Sequence, residues 1–336
     1  MSDQLNRLFL YGDLGGTKTL LHLAEMVNGS AQVLCSRHYE SHRFAAFSQI
    51  LYDFLTKEVN TNHHPLAACF AVAGPVVTQQ AKLTNLPWQI SSSEISRDFA
   101  IPVVQLINDF EAAALGIDSL MTGDLVTLQS GNPQQQATRV VLGAGTGMGV
   151  AWLSWSGDGY FAIPSEAGHM DFAPVDPLQV KLFETLHRKL GHVSIERLLS
   201  GSGLTNIFKF LLATAPVSSN LSPINLEDDS GATITALALV HRHPVAIASL
   251  NMFAEIYGAY AGNLALAGLC RGGVYVAGGI APKVIDYLKS GGFMRAFRDK
   301  GRFESLMYEI PVHVVTNPEI GLLGAKQKAQ QLALSK

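Results

Sequence analysis

Residues 7–40 carry apolar runs interrupted by glycine-containing breaks, which predicts three strands joined by tight turns. Phe44, Phe47, Ile50, Leu51, Phe54 and Leu55 then recur at helical spacing, predicting an amphipathic helix that reaches about residue 59. Residues 66–73 are a continuous apolar strand stopped by Gly74-Pro75, a turn signal. Ser91-Ser92-Ser93-Glu94 reads as a helix start. The apolar strand 103–107 runs straight into Asn108-Asp109 and the helical stretch ending at Leu115. Strands, helix, strand, helix, strand make an α/β layer.

A second layer follows. Residues 129–138 are polar and read as a loop, and a hairpin of apolar strands comes next. Residues 179–190 and 194–200 have helical patterning, 214–231 read as a long Ser/Pro/Asn/Asp-rich loop, and 244–266 form a long alanine-rich helix. A short strand at 273–277 ends in Gly278-Gly279, a last strand covers 311–316, and a final helix covers 320–334. The architecture is thus duplicated, and a ligand cleft between the halves is the expectation.

Each half opens on a glycine turn between apolar strands. The first is Gly12-Asp13-Leu14-Gly15-Gly16-Thr17-Lys18, and the second is Gly143-Ala144-Gly145-Thr146-Gly147-Met148-Gly149. Without a Cβ, backbone N–H groups approach a ligand closely and can cradle phosphate. A tight hairpin is the commoner reason for any single such turn. Two matched turns point to a polyphosphate held at both ends.

Composition narrows the classes. The chain has 336 residues, a length that suits two domains, with 48% hydrophobic and 15% charged residues. A formal net charge of −3 and the lack of a basic arm argue against nucleic acid as a partner. Cys35, Cys69 and Cys270 are scattered in apolar surroundings and read as buried thiols, not zinc ligands. The apolar stretch 256–270 is short for a membrane span and contains Asn263, and residues 1–7 lack a signal-peptide core. The expected setting is the cytoplasm, with no membrane partner.

Candidate chemistry gathers at a few places. Asn108 and Asp109 stand where a strand ends and a helix begins, where ligands collect in open α/β sheets. A helix cap explains either residue equally well. Asp109 is a candidate general base toward a hydroxyl. Glu166 and His169, in the loop bounded by Pro164 and Pro174, suit recognition of vicinal hydroxyls. Glu196 lies early in a short predicted helix, where a first-turn charge is the simpler explanation. Gly278 and Gly279 read either as a tight turn or as a close seat for a nucleobase or ribose.

In this order, Asp13-Leu14-Gly15-Gly16-Thr17, Asn108-Asp109-Phe110-Glu111-Ala112, Gly145-Thr146-Gly147-Met148-Gly149, Glu166-Ala167-Gly168-His169 and Gly278-Gly279-Ile280-Ala281-Pro282 resemble the bacterial glucokinases. These are the ATP-dependent, non-zinc branch of the sugar kinase/Hsp70/actin superfamily. Residues 196–203, 297–303 and 321–324 extend the likeness to nearly the whole chain. The resemblance implies an α/β fold of two ribonuclease H-like (actin-like ATPase) domains with duplicated mixed sheets and an interdomain cleft. The small domain would be 1–115 plus 318–336, and the large one 116–317. It implies transfer of the γ-phosphate of ATP to the 6-hydroxyl of glucose. Asn108, Asp109, Glu166, His169 and Glu196 would line the sugar pocket, with Asp109 as the base. Asp13 would work with Mg²⁺ through water. Gly15, Gly16, Thr17, Gly145 and Thr146 would hold phosphate, and Gly278 and Gly279 adenosine. A homodimer without zinc is implied as well.

Two departures stand out. Lys18-Thr19 replaces the Asn and Ala of many members, and Ala167 replaces the usual glycine beside Glu166. The rival readings are a kinase for mannose, fructose or N-acetylmannosamine, a non-catalytic sugar sensor, and an actin- or Hsp70-like ATPase. A sensor of this kind usually carries a preceding DNA-binding domain, and the first strand here begins by about Leu8. The group Asn108, Asp109, Glu166 and His169 argues against a plain ATPase.

Overall fold

A computed structural model describes residues 7–58, 64–83, 86–214 and 230–335. The chain divides into two compact units, Met1–Leu120 with Glu319–Lys336, and Met121–Pro318.

In the first unit, β1 (Leu8–Leu14), β2 (Lys18–Val27), β3 (Ser30–Glu40), β4 (Ala67–Val72) and β8 (Val103–Asn108) form one sheet in the order β3-β2-β1-β4-β8. The hairpins β1–β2 and β2–β3 are antiparallel, whereas β4 pairs in parallel with both β1 and β8. Helix α1 (Phe47–Glu58) buries Phe47, Ile50, Leu51 and Phe54 with Leu8, Leu10 and Leu14 of β1. Strand alternation sends Tyr11 and Asp13 to the opposite face. That face meets the C-terminal helix, Ile320–Leu334, which packs on β1 and β4. Covered on both sides, β4 is buried at every position, which accounts for its unbroken apolar run.

A small sheet of β5 (Val76–Val77), β6 (Gln80–Lys82) and β7 (Gln89–Ser91) follows β4 and leads into α2 (Ser92–Phe99). Its strands have only two or three residues, too short to leave an alternating pattern in the sequence. Helix α3 (Asp109–Leu115) leaves β8 directly. It meets the C-terminal helix through small residues. A Cβ on Gly324 would lie 1.8 Å from the Ala112 carbonyl oxygen, and one on Gly116 would lie 2.3 Å from that of Ile320. This packing keeps Gly116–Ser119 within the first unit.

The second unit repeats the plan. Its sheet contains β9 (Leu125–Gln129), β10 (Arg139–Ala144), β11 (Met148–Trp155), β12 (Tyr160–Ser165), β13 (Gly273–Ala277) and β14 (Val312–Val315). The order is β12-β11-β10-β13-β14-β9. Strands β12, β11 and β10 are antiparallel neighbours, and β10, β13 and β14 are parallel. The sequence of two antiparallel and then two parallel pairings is that of the first sheet. Strand β9 is an addition at the edge.

Helices α4 (Pro177–Leu190), α5 (Gly201–Thr214), α6 (Ser230–Leu239) and α7 (Pro244–Ala267) precede β13, while α8 (Ile285–Lys289), α9 (Gly292–Arg298) and α10 (Glu304–Glu309) precede β14. Gly258 lets α9 close on α7, since a Cβ there would sit 2.0 Å from the Phe293 carbonyl oxygen. The helix expected at 194–200 is a single 3-10 turn, Ile195–Arg197. Ser200 stops it by accepting from the Gly203 N–H at 3.0 Å, and α5 begins there. Of the expected loop 214–231, residues 215–229 lie outside the described residues, and α6 has begun at Ser230. None of the three cysteines is joined in a disulfide; Cys69 and Cys270 are buried and Cys35 is half-buried. Among the described residues no helix is long and apolar enough to cross a membrane.

The Gly324 contact sets a stability test. Gly324→Ala forces a methyl into backbone and is expected to cost about 3 kcal/mol or more. Thermal unfolding of the purified variant checks this, and a melting temperature equal to the parent's would contradict the packing.

Candidate active site

The first glycine turn is locked from below. Gly15 N–H donates to the Lys18 carbonyl at 3.0 Å, and Ser41 N–H donates to that of Thr17 at 3.0 Å. Ser41 Oγ donates to the Gly15 carbonyl at 2.8 Å and stands 3.0 Å from Thr19 Oγ1. Ser41 has one hydroxyl proton, already committed to Gly15, so Thr19 is the donor between the two hydroxyls. Both side chains are fully buried. The Thr19 departure is therefore a structural fastening. Three turn carbonyls are consumed this way, while the N–H groups of Gly16 and Thr17 have no partner among the described residues. Thr17 and Lys18 are exposed.

At the other edge of the same unit, Asn108 caps α3. Its side-chain oxygen accepts from the N–H groups of Phe110 at 2.8 Å and Glu111 at 3.4 Å, and its amide donates to the Gly74 carbonyl at 3.0 Å. The capping reading is correct for Asn108. The cap puts Asp109 at the first helical position, where its carboxylate accepts from Phe110 N–H at 2.9 Å.

Asp109 and Glu319 both act electrostatically on Asp13. Burial, then the charges of Asp109 and Glu319, push the Asp13 carboxyl up to about 6, against a lowering pull from Lys18. Glu319 precedes the C-terminal helix and gives no sequence signal of its own. Gly321 stands beside both Asp13 and Asp109, since a Cβ there would lie in ordinary contact with Asp13 Oδ2, at 3.5 Å, and with the Asp109 carbonyl oxygen, at 4.0 Å. Concentrated negative charge of this kind fits a divalent cation. Among the described residues no three His, Cys, Asp or Glu side chains are gathered to hold a metal between them.

In the second unit the glycine turn is held by Glu196. Its carboxylate accepts from Met148 N–H at 3.0 Å, and a Cβ on Gly147 would sit 2.4 Å from it. Glu196 thus reaches back to β11 instead of favouring a helix start. The same Met148 receives the Glu166–His169 turn, where a Cβ on Gly168 would fall 1.9 Å from the Met148 carbonyl oxygen. Ile195 N–H donates to the Met170 carbonyl, and Phe172 N–H to that of Val193, tying this turn to the segment that carries Glu196. So Glu166, His169, Glu196 and the turn Gly145–Gly147 form one assembly. Glu166 and His169 are exposed. Ala167 is buried in the core, and its carbonyl accepts from Tyr260 Oη at 2.7 Å. Its extra methyl packs within the hydrophobic core of the second unit.

Beyond that turn, Gly145 accepts from Gly201 N–H at 3.0 Å, and Ile280 N–H donates to the Ala144 carbonyl at 3.2 Å. Gly278 has φ +81°, and a Cβ on it would meet the Ala144 carbonyl oxygen at 2.6 Å. These ties bring Gly145, Thr146 and Gly279 to one cavity of 590 Å³, also lined by Ser202, Thr235 and Lys283. Sequence reasoning missed the last three. Ser202 and Thr235 lie in helices whose pattern signals only packing, and Lys283 is a single exposed base.

The raised Asp13 carboxyl gives a pH test. In the unfolded chain it ionises near 3.8, in the folded chain near 6. Its contribution to stability is therefore complete below pH 3.8 and lost as pH rises through 6. In metal-free buffer, Asp13→Asn is expected to be more stable than the parent at pH 8, by on the order of 2–3 kcal/mol, with no gain at pH 3.5. Denaturant unfolding at both values checks it. An equal effect at the two would contradict the charge argument.

The Glucokinase family model matches residues 10–332. A glucokinase of Trichormus variabilis is 41% identical over 341 residues, covering 97% of this chain and 99% of the relative. The crystal structure of a glucokinase from an Antarctic psychrotroph has 30% identity and a TM-score of 0.85, with 97% and 99% covered. The Balamuthia mandrillaris glucokinase, solved in complex with glucose, shares the fold with a TM-score of 0.78 at 22% identity, over 99% of this chain and 95% of that one. The fold is that of the actin-like ATPase and sugar kinase group, and the chain belongs to the glucokinase family of sugar kinases.

Proposed function

We propose that this enzyme transfers the γ-phosphate of ATP to the 6-hydroxyl of glucose, with Asp109 as general base. The observation that carries the reading is the position of Asp109, first residue of the helix that Asn108 caps at a strand end, with its backbone and the Asp13 carboxylate both beside Gly321. Membership of the glucokinase family supports the substrate pair. The glucose bound in the Balamuthia enzyme supports the acceptor.

In this reading Asn108 and Asp109 of the first unit, with Glu166, His169 and Glu196 of the second, bind the sugar hydroxyls. The cavity by Gly145, Thr146 and Gly279 takes the nucleotide, with Gly278 shaping its turn. The N–H groups of Gly16 and Thr17, with Gly15 holding the turn, serve the phosphates. Asp109 takes the proton as the sugar oxygen forms its bond to the γ-phosphorus, the bridging P–O bond breaks, and ADP leaves. Such transfer depends on positioning and electrostatic stabilisation more than on covalent chemistry. When bound, Mg²⁺ neutralises charge on the phosphate oxygens, and Asp13 would hold it through a water. We assign the enzyme to the cytoplasm on its three cysteines, none of them in a disulfide, and to a homodimer on family likeness.

Asp109→Ala is expected to lower kcat by roughly 10²-fold or more, as loss of a general base does. Glu166→Ala is expected mainly to raise the KM for glucose, since a sugar hydroxyl loses its partner. Steady-state kinetics with glucose and ATP decide both. Near-normal turnover in the first variant removes Asp109 from the base role, and an unchanged KM in the second removes Glu166 from the sugar site.

A further inference from the structure

The hairpin β5–β6 turns through two consecutive non-glycine residues in the left-handed region. Its two central residues, Thr78 and Gln79, both adopt positive φ, 49° and 59°. Two-residue hairpin turns of this hand favour Asn-Gly, and a β-branched residue there is an outlier. Strain of this kind persists where surrounding interactions over-determine it.

Gln79 supplies those interactions. Its side-chain oxygen accepts from Leu106 N–H at 2.8 Å, and its side-chain nitrogen donates to the Leu106 carbonyl at 3.3 Å. Its own carbonyl accepts from Ser92 N–H, at the start of α2, at 3.1 Å. Leu106 belongs to β8, the edge strand of the five-stranded sheet. The carboxamide therefore stands in for one residue of a missing neighbouring strand. Two residues further along β8, Asn108 donates to Gly74, at the other end of the same hairpin segment. The segment 74–79 thus grips the end of β8 at two points, and that end carries Asn108 and Asp109.

We infer that Gln79 is a positioning residue for the phosphoryl acceptor, setting the height and direction of the Asn108–Asp109 strand end through its paired hydrogen bonds to Leu106. It touches no substrate. The inference rests on the proposed sugar site and deepens it. A displacement of about 1 Å at a reacting group can cost on the order of 100-fold in rate, so the brace has kinetic weight beyond stability.

The design of the turn offers a clean test. Gln79→Gly relieves the positive φ and deletes the carboxamide. Thr78→Gly relieves the same strain next door and keeps the carboxamide. Gln79→Glu keeps the acceptor for Leu106 N–H and loses the donor. For Gln79→Gly, kcat/KM for glucose should fall about 10- to 100-fold. The KM for ATP should stay within about twofold, the melting temperature should hold, and amide exchange in peptide 103–108 should speed up. Thr78→Gly should match the parent, and Gln79→Glu should fall between. A folded Gln79→Gly enzyme with parental glucose kinetics overturns the inference, as does a Thr78→Gly enzyme equally impaired, or a KM for ATP raised well beyond about twofold. A parent protein that phosphorylates no hexose overturns the functional reading, and this inference with it. That outcome is read from the parent alone and cannot be confused with failure of the brace.

Discussion

The side chain of Asn108 is the interaction on which the first unit's chemistry depends. One small amide ends a strand, begins a helix and joins a neighbouring loop, because its oxygen accepts from two N–H groups of α3 and its nitrogen donates to Gly74. With both ends of the amide engaged, its orientation is determined, and so is the first residue of the helix, Asp109. Capping and catalysis are often weighed as alternatives for such a residue. Here the cap is what delivers the carboxylate, so the structural duty and the proposed chemical one need each other.

The second unit solves the parallel problem with Met148. Its N–H is taken by Glu196, and its carbonyl is approached so closely by Gly168 that no side chain fits between. The sugar-binding candidates and the second glycine turn are thereby referred to one backbone residue of β11. The glycines of this region have distinct duties. Gly168 and Gly278 are needed for close approach to other backbone. Gly145 leaves its N–H and carbonyl to neighbouring chain while facing the cavity proposed for the nucleotide.

Much of this was legible in the sequence, for physical reasons that are local. The strand–turn–strand pattern around Asp13 and around Gly145 is short-range, and the repetition of one sheet topology follows from it. The apolar run of β4 and the amphipathic face of α1 declared their burial directly. What stayed hidden was long-range or depended on direction. Nothing near Glu319 reveals that its charge acts on Asp13, some three hundred residues earlier in the chain. Ser41 and Thr19 look ordinary until the hairpin brings them together. Whether the methyl of Ala167 faces core or ligand depends on how a 3-10 turn is seated, which no periodicity encodes. Gln79 was silent because its role is to imitate backbone, and the helix expected at 194–200 failed because Ser200 hands the chain to α5 by a side-chain bond.

The most direct test of the account is product analysis with the purified parent protein, ATP, Mg²⁺ and glucose, following phosphorus by nuclear magnetic resonance. The account predicts that ADP appears only when the hexose is present, in equal amount with a sugar phosphate substituted at oxygen 6. ADP formation indifferent to the sugar, or phosphate on any other oxygen, would contradict it.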